Sequence, residues 1–377
     1  MDSALTPFRR PLPKWTRFCF AVILVAVVRI IGALLIYQAL SVNGKFHTAW
    51  MDANPNLIPS GWSWLWLFNA WDSLQFPRIA MSGYFQPNYV YLPGYPILIQ
   101  LVARLTGNNW FAAFLITQIF ALGSIVAFQL LAEQYMPTNQ ALYATLLMSF
   151  FPFVSVFTTL GYSESVYLFS TVSAWYLYKK GKTLSSALLL GFASVTRIFG
   201  LLIAVPMLLD LVRRKQYRKV SSLAVPFGLV GGWLLFCYLT TGDPLVSWTD
   251  EKYWYTGGVG DGVRVITALL QHGLRGLINC CAGLDPTIFW ALGLMVVLVA
   301  MTWKVDRLLW VYAATASISI LISTTYSVSV LRYFAFVFPI WLTVRVKNPS
   351  VVTISLCILV PISIIVWLYA IEVTFIG

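Results

Sequence analysis

The feature that most constrains this chain is a series of long apolar runs, of which residues 18–40 form the first. A helix needs about 20 apolar residues to cross the hydrocarbon core of a bilayer. The composition agrees with repeated crossings, because 59% of the residues are hydrophobic and 10% are charged, whereas a soluble domain carries about 25% charged residues. We therefore predict an all-α polytopic membrane protein.

Basic clusters give the orientation of the predicted spans. The cluster at residues 213–219 and others like it separate apolar runs, as cytoplasmic loops do under the positive-inside rule. The net charge of +12 thus indicates membrane topology, with no nucleic acid as a partner. We place the amino terminus in the cytoplasm and predict about 11 spans. These are residues 18–40, 110–132, 141–158, 163–178, 184–195, 198–211, 220–239, 286–303, 308–325, 332–344 and 351–375.

Two segments are predicted to face away from the cytoplasm, residues 41–109 and 240–285, within a single domain of residues 1–377. Residues 91–105 are apolar but short, and counting them as a span would place basic loops on both sides of the membrane. We therefore expect interfacial helices in the first external segment. A minority of arginines fall on the external side, against the positive-inside rule, and need another explanation: Arg78, Arg104, Arg197, Arg264, Arg275 and Arg332.

Asp72 follows Trp71 in the first external segment, where we expect it to lie at the membrane surface. A carboxylate in that position can take a proton from a hydroxyl group of a bound molecule. Alternatively, Asp72 is the N-cap of a short helix that starts at Ser73. The residues alone leave both interpretations open.

Two later motifs combine aromatic, proline and acidic residues. Tyr91 opens the sequence Tyr-Leu-Pro-Gly-Tyr-Pro, which is typical of a helix start with proline in its first turn. Tyr162 and Glu164 lie in Gly-Tyr-Ser-Glu-Ser at the start of a predicted span. The helix dipole favours a glutamate in a first turn, and the alternative is that Glu164 orients Asp72, an arginine or a hydroxyl group of a bound molecule.

Arginines at span ends are candidates for anion binding. An ionisable residue at membrane depth is a functional candidate by default, and the forked guanidinium group suits a phosphate. Arg197 and the pair Arg332-Tyr333 fit this pattern, with snorkelling to the interface as the alternative. Asp243 lies in Thr-Gly-Asp-Pro, which is typical of a turn. Arg29 lies within the first predicted span and must face the helix bundle.

The sequence contains none of the common metal or nucleotide motifs. A P-loop, a dinucleotide fingerprint and a zinc-binding HExxH pattern are all missing. His47 and His272 are the two histidines of the chain, and two histidines cannot form a metal site alone. We expect neither a metal nor a cofactor.

Taken in order, the motifs resemble those of a known family. Residues 71–84, 91–96, 161–165, 197–200, 241–244 and 331–339 resemble the PIG-V family of multi-pass mannosyltransferases, which have the GT-C fold. The resemblance extends from Trp71 to Pro339 and depends on the order and approximate spacing of the motifs. The chain departs from the family in having Tyr91-Leu92 before Pro93, where Phe-Phe is frequent, and apolar residues directly after Arg197.

The resemblance implies a GT-C-like bundle and an inverting glycosyltransferase. Its donor would be a polyprenyl- or dolichyl-phosphate sugar, with mannose as the sugar, and its acceptor a glycolipid or glycan on the external or lumenal face. By position, Asp72 looks like the base that activates the acceptor, and Arg197 and Arg332 look like ligands of the lipid phosphate. The other residues that we predict to bind substrate are Trp71, Arg78, Tyr91, Tyr162, Glu164, Asp243 and Tyr333.

Two alternatives remain at this level, a transporter or flippase of lipid-linked sugars and a non-catalytic membrane subunit. Arg29 and Arg197 would suit a transporter as intramembrane charges, but transporters often carry repeated halves and no repeat is visible here. The expected location is a prokaryotic cell membrane, or the endoplasmic reticulum membrane in a eukaryote. The acceptor and the lipid length are not fixed by the sequence.

Overall fold

The structure of the protein, a computed structural model, describes residues 13–42, 60–250, 271, 287–323 and 327–372. All regular secondary structure within these residues is helical. The α-helices, numbered along the chain, are α1 Lys14–Val42, α2 Gln75–Ser82, α3 Gly94–Thr106, α4 Asn109–Ala132, α5 Thr138–Phe150, α6 Pro152–Phe157, α7 Glu164–Lys179, α8 Thr183–Thr196, α9 Ala204–Arg213, α10 Tyr217–Val220, α11 Ala224–Thr241, α12 Val246–Thr249, α13 Thr287–Thr302, α14 Arg307–Ser323, α15 Ser327–Ala335 and α16 Pro349–Glu372. Short 3₁₀ helices occupy Ser60–Phe68, Trp71–Leu74, Asn88–Val90, Ile198–Ile203, Ser221–Leu223 and Phe338–Thr343.

Four helical stretches of the described chain are long and apolar enough to cross a membrane. They are Trp15–Val42, Asn109–Ala132, Tyr217–Thr241 and Pro349–Glu372. Three shorter apolar helices accompany them, Thr183–Thr196, Leu292–Thr302 and Arg307–Ser323. The prediction of an all-α polytopic membrane protein is thus confirmed, whereas the predicted count of about 11 spans is not.

Breaks within the apolar runs explain part of the difference. The run at residues 141–158 is divided, because α5 ends at Phe150 and α6 begins at Pro152. Proline lacks the N–H group that would continue the helix. The run at residues 198–211 begins as the 3₁₀ helix Ile198–Ile203, and α15 ends at Ala335, ahead of another 3₁₀ helix. Several runs therefore consist of two short helical pieces.

Helix α3 forms most of the short apolar segment, residues 91–105, that we expected at the membrane interface. Its 13 residues extend about 20 Å, which is less than the hydrocarbon thickness of about 30 Å. One face exposes Ile97, Leu101 and Leu105, while Tyr95 and Ile99 are fully buried against the protein. This pattern is typical of a helix that lies along a lipid surface.

Helix α7 is central to the core and packs against α4 and α8. Tyr167, Trp175 and most of its other residues are buried. Only a short turn joins α7 to α8, so the two helices run antiparallel. The first residue of α7, Glu164, therefore lies at the same end of the bundle as the residue after α8, Arg197.

The opposite end of the bundle carries ion pairs between a helix and a turn that follows another helix. Lys179, the last residue of α7, pairs with Asp306 at 3.3 Å, and Arg17 of α1 pairs with Glu133 at 3.1 Å. Glu164 and Lys179 are separated by about 22 Å along the helix axis. Residues 43–59, 251–270 and 272–286, which include parts of both predicted external segments and His47, His272, Arg264 and Arg275, lie outside the described residues.

Candidate active site

A tight turn presents Asp72. The residue lies in the 3₁₀ helix Trp71–Leu74, and Ser73 fixes the start of this turn by donating to the carbonyl of Ala70 and accepting from its amide, each at 2.8 Å. Trp71 has a φ of 54°, in the left-handed region. A bulky residue adopts that region only when its surroundings impose it, so the turn before Asp72 is held in a single conformation.

The Asp72 carboxylate makes two contacts with distant parts of the chain. The Tyr91 hydroxyl donates to Oδ1 at 3.1 Å, and Nη1 of Arg332 lies 3.6 Å from Oδ2. The backbone amide of Asp72 donates to the Tyr162 hydroxyl at 3.1 Å. The side chain is 31% exposed and caps no helix, so the N-cap interpretation is wrong.

Glu164 holds both arginines of the site. It is 1% exposed, and its Oε1 accepts from Nη2 of Arg197 at 2.7 Å and from Nε of Arg332 at 2.6 Å. Its second oxygen, Oε2, is buried and has no hydrogen-bond partner among the described residues. Although Glu164 lies in the first turn of α7, the two guanidinium groups account for its position better than the helix dipole does.

Aromatic rings surround the two guanidinium groups. The Arg332 guanidinium lies 4.1 Å from the ring centre of Phe157 and 4.4 Å from that of Tyr162. The Arg197 guanidinium lies 4.9 Å from the ring centre of Tyr333, and its Nε donates to the Ser163 hydroxyl at 3.2 Å. Such cation–π contacts stabilise a desolvated cation. Arg332 is thereby buried, and neither arginine extends to the surface as a snorkelling side chain would.

Burial also keeps Tyr162 neutral. Desolvation raises the pKa of the phenol well above its usual value, and the negative charge of Asp72 raises it further. The charged groups of the site are therefore two carboxylates and two guanidinium groups. Their formal charges balance.

These residues enclose a cavity of about 200 Å³. It lies between residues 71–92, the start of α7, the end of α8 and helix α15. We call it the Asp72 cavity, and it is lined by Trp71, Asp72, Phe76, Val90, Tyr91, Leu92, Tyr162, Ser163, Thr196, Arg197, Ile198, Phe199, Trp248, Ser323, Ser329, Arg332 and Tyr333.

Most of the predicted site residues meet at this cavity. Seven of them line its wall, and Glu164 lies behind the wall, in contact with both arginines. The seven are Trp71, Asp72, Tyr91, Tyr162, Arg197, Arg332 and Tyr333. Arg78 and Asp243 do not line it: Arg78 lies on α2, and Asp243 accepts from the amide of Leu245 at 2.8 Å, as the turn interpretation expects.

The cavity also contains residues that the sequence did not single out. Trp248 and Phe199 add aromatic surface, while Ser323 and Ser329 add hydroxyl groups from α14 and α15. Trp248 was visible only as one of several aromatics after the Thr-Gly-Asp-Pro motif. No spacing in the sequence separates an aromatic residue that faces a cavity from one that faces lipid.

Two motif glycines permit close backbone contacts beside the site. A Cβ atom on Gly94 would lie 2.6 Å from Oγ1 of Thr196 and 2.9 Å from the carbonyl oxygen of Val195. The amide of Gly161 donates to the carbonyl of Phe68 at 2.7 Å, and a Cβ atom there would lie 3.0 Å from Oδ1 of Asn69. These contacts join the motifs of Asp72, Arg197 and Glu164 into one unit.

The structure also gives Arg29 its partners. Its two terminal nitrogens donate to Oε1 of Gln118 at 2.9 Å and to Oγ1 of Thr158 at 2.6 Å. Gln118 in turn donates to the carbonyl of Thr159 at 2.8 Å. Arg29 therefore faces the bundle, as expected, and holds the segment that leads into Tyr162 and Glu164.

The chemistry open to this arrangement follows from its groups. A partly exposed carboxylate can accept a proton from a bound hydroxyl. Arg197 has five N–H donors, of which the contacts with Ser163 and Glu164 use only part, so an anion in the cavity can take the others. The described residues contain no group of three or more possible metal ligands.

The fold and the cavity define a polytopic α-helical membrane protein that sets a carboxylate beside two arginines. The sequence comparison is more specific. The family model described as Mannosyltransferase (PIG-V) matches residues 16–223, and the chain belongs to that family. The predicted resemblance is thereby confirmed.

The curated relatives are similar over part of their length. The human protein named GPI alpha-1,6-mannosyltransferase 2 is 29% identical over 173 residues, and the rat protein of the same name is 30% identical over 175 residues. Each match covers 41% of this chain and 35% of the relative. The chain thus matches about a third of the length of these relatives.

Among solved structures, the oligosaccharyltransferase of Archaeoglobus fulgidus is similar to this chain. Its apo form gives a TM-score of 0.48 at 14% identity, covering 93% of this chain and 56% of that one. Its complex with zinc and sulfate gives a TM-score of 0.43 at 15% identity. Similarity at this level carries no information about the substrate.

Proposed function

We propose that the protein is an integral membrane glycosyltransferase that moves mannose from a polyprenyl-phosphate donor to a hydroxyl group of a lipid or glycan acceptor. Membership of a mannosyltransferase family supports the class of reaction. The observation that carries the proposal is the position of Asp72, whose carboxylate shares one cavity with Arg197 and Arg332. The reacting face of the membrane is, in this proposal, the non-cytoplasmic one.

In the proposed reaction, the acceptor oxygen forms a bond to the anomeric carbon of the donor sugar while the bond from that carbon to the phosphate oxygen breaks. The acceptor proton passes to the Asp72 carboxylate, and the phosphate leaves with the bonding electrons. A single displacement inverts the anomeric centre. General-base catalysis of this kind contributes about 100- to 10,000-fold in rate.

The neighbours of Asp72 divide the remaining tasks. Tyr91 donates to one carboxylate oxygen and so fixes its direction. Negative charge develops on the departing phosphate, and guanidinium groups that are already in place stabilise it without reorganisation. Arg197 is the main phosphate ligand in this scheme, because it is more exposed to the cavity than Arg332. Glu164 keeps both guanidinium groups in position.

The test is transfer of label from polyprenyl-phosphate-[¹⁴C]mannose into a membrane lipid extract by the purified protein in nanodiscs. We expect wild type to form a labelled product and Asp72→Asn to lose transfer by about 100- to 10,000-fold. Glu372→Gln is the matched control, because it also neutralises one carboxylate, at the exposed end of α16. Equal unfolding midpoints for the three proteins would show that folding is intact.

Each other outcome is informative. Transfer by Asp72→Asn at the wild-type rate would remove Asp72 as the base while keeping the enzyme. A wild-type protein that forms no labelled product but carries the labelled lipid across liposome membranes would replace the transferase with the transporter alternative.

A further inference from the structure

Trp248 is exposed although the residues around it are firmly held. It lies on the short helix α12, forms part of the wall of the Asp72 cavity and has 63% of its surface exposed. A large aromatic side chain normally buries most of its area. The position of this one therefore requires an explanation other than core packing.

Asp243 fixes helix α12 at both ends. Its Oδ1 accepts from the amide of Leu245 at 2.8 Å, just before the helix, and its Oδ2 accepts from the Thr249 hydroxyl at 3.0 Å, in the last turn. Trp248 precedes Thr249 directly. One carboxylate thus sets the direction of the residues on either side of the tryptophan.

A buried aromatic cluster also holds helix α12 in place. Trp233 of α11 donates from its indole nitrogen to the Ser247 hydroxyl at 3.0 Å, and Val246 packs into the cluster with 1% of its surface exposed. Tyr84 packs on Trp233 with ring centres 4.9 Å apart and donates to the carbonyl of Tyr91 at 2.9 Å. Helix α12 is thereby tied to the segment that carries the hydroxyl partner of Asp72.

We propose that Trp248 is a stacking platform for a hexopyranose ring in the Asp72 cavity, and that Asp243 is its positioning residue. This role rests on the proposed function and extends it to the part of the site that recognises the sugar. The C–H groups on one face of a pyranose ring are apolar and weakly positive, and an indole face is apolar and carries negative charge density. Fixing the backbone that carries the indole beforehand reduces the entropy that binding would otherwise cost.

The ring in question belongs either to the donor or to the acceptor, since the chemistry of stacking is the same for both. The competing explanation for Trp248 is an aromatic anchor at the membrane interface. A leucine at this position would still anchor the chain by its apolar area, but it has no flat face for stacking. A phenylalanine has both the apolar area and a flat face.

The experiment compares Trp248→Phe, Trp248→Leu and Trp248→Ala, with Trp15→Ala as a control for the loss of an exposed tryptophan from α1. Binding of polyprenyl-phosphate mannose and of bare polyprenyl phosphate is measured for each protein in nanodiscs. If the donor sugar stacks on Trp248, we expect the preference of wild type for the mannosylated lipid to fall about tenfold in Trp248→Leu and Trp248→Ala and to persist in Trp248→Phe and in Trp15→Ala. This readout is independent of catalysis, so it stands apart from the transfer test.

Initial rates then assign the ring. If the donor sugar stacks on Trp248, the donor KM rises about tenfold in Trp248→Leu with kcat nearly unchanged. If the acceptor sugar stacks there, the donor preference and donor KM stay at wild type, and the half-saturating amount of lipid extract rises by the same factor. Wild-type binding and kinetics in Trp248→Leu would overturn the proposal and leave the interface anchor.

Asp243 is tested through the same parameters. Asp243→Ala should raise the same KM that Trp248→Leu raises, without a matching loss of kcat. Asp243→Asn keeps an acceptor oxygen, so its KM should stay at the wild-type value. In the double variant of Asp243→Ala with Trp248→Leu, the two effects should not add, because both act through one contact. Additive effects, or a loss confined to kcat, would overturn the positioning role.

Discussion

The two ends of the helix bundle pair their charges differently. At the end away from the Asp72 cavity, Asp306 and Asp210 each have one cation and one tyrosine hydroxyl as partners. Asp306 pairs with Lys179 and accepts from Tyr135 at 3.1 Å. Asp210 pairs with Arg214 in the same way, with a second tyrosine hydroxyl as its neighbour. Both carboxylates are thus satisfied within the protein.

At the cavity end, two arginines share one oxygen of Glu164, and the second carboxylate, Asp72, remains partly exposed between Arg332 and Tyr91. The charges balance, yet the hydrogen-bonding groups do not, because two guanidinium groups bring ten N–H donors to two carboxylates. The comparison teaches that paired charge alone does not mark a site. What distinguishes the cavity end is that two guanidinium groups share one oxygen of a buried carboxylate, Glu164.

The largest effect should follow from neutralising Glu164. Glu164→Gln removes the counter-charge of Arg197 and leaves Arg332 with Asp72 alone, and breaking a buried pair costs about 3 to 5 kcal/mol. We expect transfer to be lost and the unfolding midpoint in detergent to fall clearly. Asp306→Asn is the counterpart at the other end and keeps the cap that Asp306 provides to Leu308.

For Asp306→Asn we expect a change of at most about 1 kcal/mol, because its cation is partly exposed. Equal losses of stability in the two variants would break the comparison between the ends.

A smaller effect should follow from Arg197→Lys. Lysine keeps the charge but presents its donors on a single nitrogen in place of the guanidinium fork, so it does not match the arrangement of Ser163, Glu164 and an anion. We expect the transfer rate to fall about 10- to 100-fold while the unfolding midpoint stays close to wild type.

Arg214→Lys makes the same change at an exposed position of the other end, where we expect transfer to remain within error of wild type. A rate for Arg197→Lys that matches that of Arg214→Lys would show that the fork at Arg197 is not used.

The smallest of the three effects should come from Gly94→Ala. The added Cβ atom would lie within 3 Å of two oxygen atoms at the end of α8, so the backbone that leads to Arg197 must shift. A displacement of about 1 Å in an active site costs up to about 100-fold in rate. We expect a loss of about tenfold, read as kcat/KM in the transfer assay.

Gly228→Ala provides the control, because a Cβ atom there meets nothing within 4 Å and alanine favours a helix over glycine. Full activity in Gly94→Ala would mean that the end of α8 adjusts without moving Arg197.

Much of the site could be predicted because its chemistry is concentrated in short motifs. Asp72, Glu164, Arg197 and Arg332 are rare charged residues in an apolar chain, and each is expensive at membrane depth unless it has a partner. The order of the motifs, through the family resemblance, grouped these four residues into one predicted site. The particular pairings, such as Glu164 with two arginines, depend on helix packing and could not be read from spacing.

The differences between the predictions and the structure have identifiable causes. Arg78 shares its motif with Asp72, but it lies on α2, away from the cavity wall. Asp243 behaves as a turn residue, and the neighbour that it positions, Trp248, reaches the cavity instead. The predicted span count is not confirmed where proline or a 3₁₀ turn divides an apolar run, as at Pro152, because hydropathy measures apolar length and not helix continuity.

The left-handed backbone of Trp71 has a consequence for the thermodynamics of substrate binding. Fixing the backbone of one residue costs about 1 to 2 kcal/mol of conformational entropy. In this turn that loss occurs once, when the chain folds around Ala70 and Ser73. This turn therefore adds little to the conformational entropy that substrate binding costs.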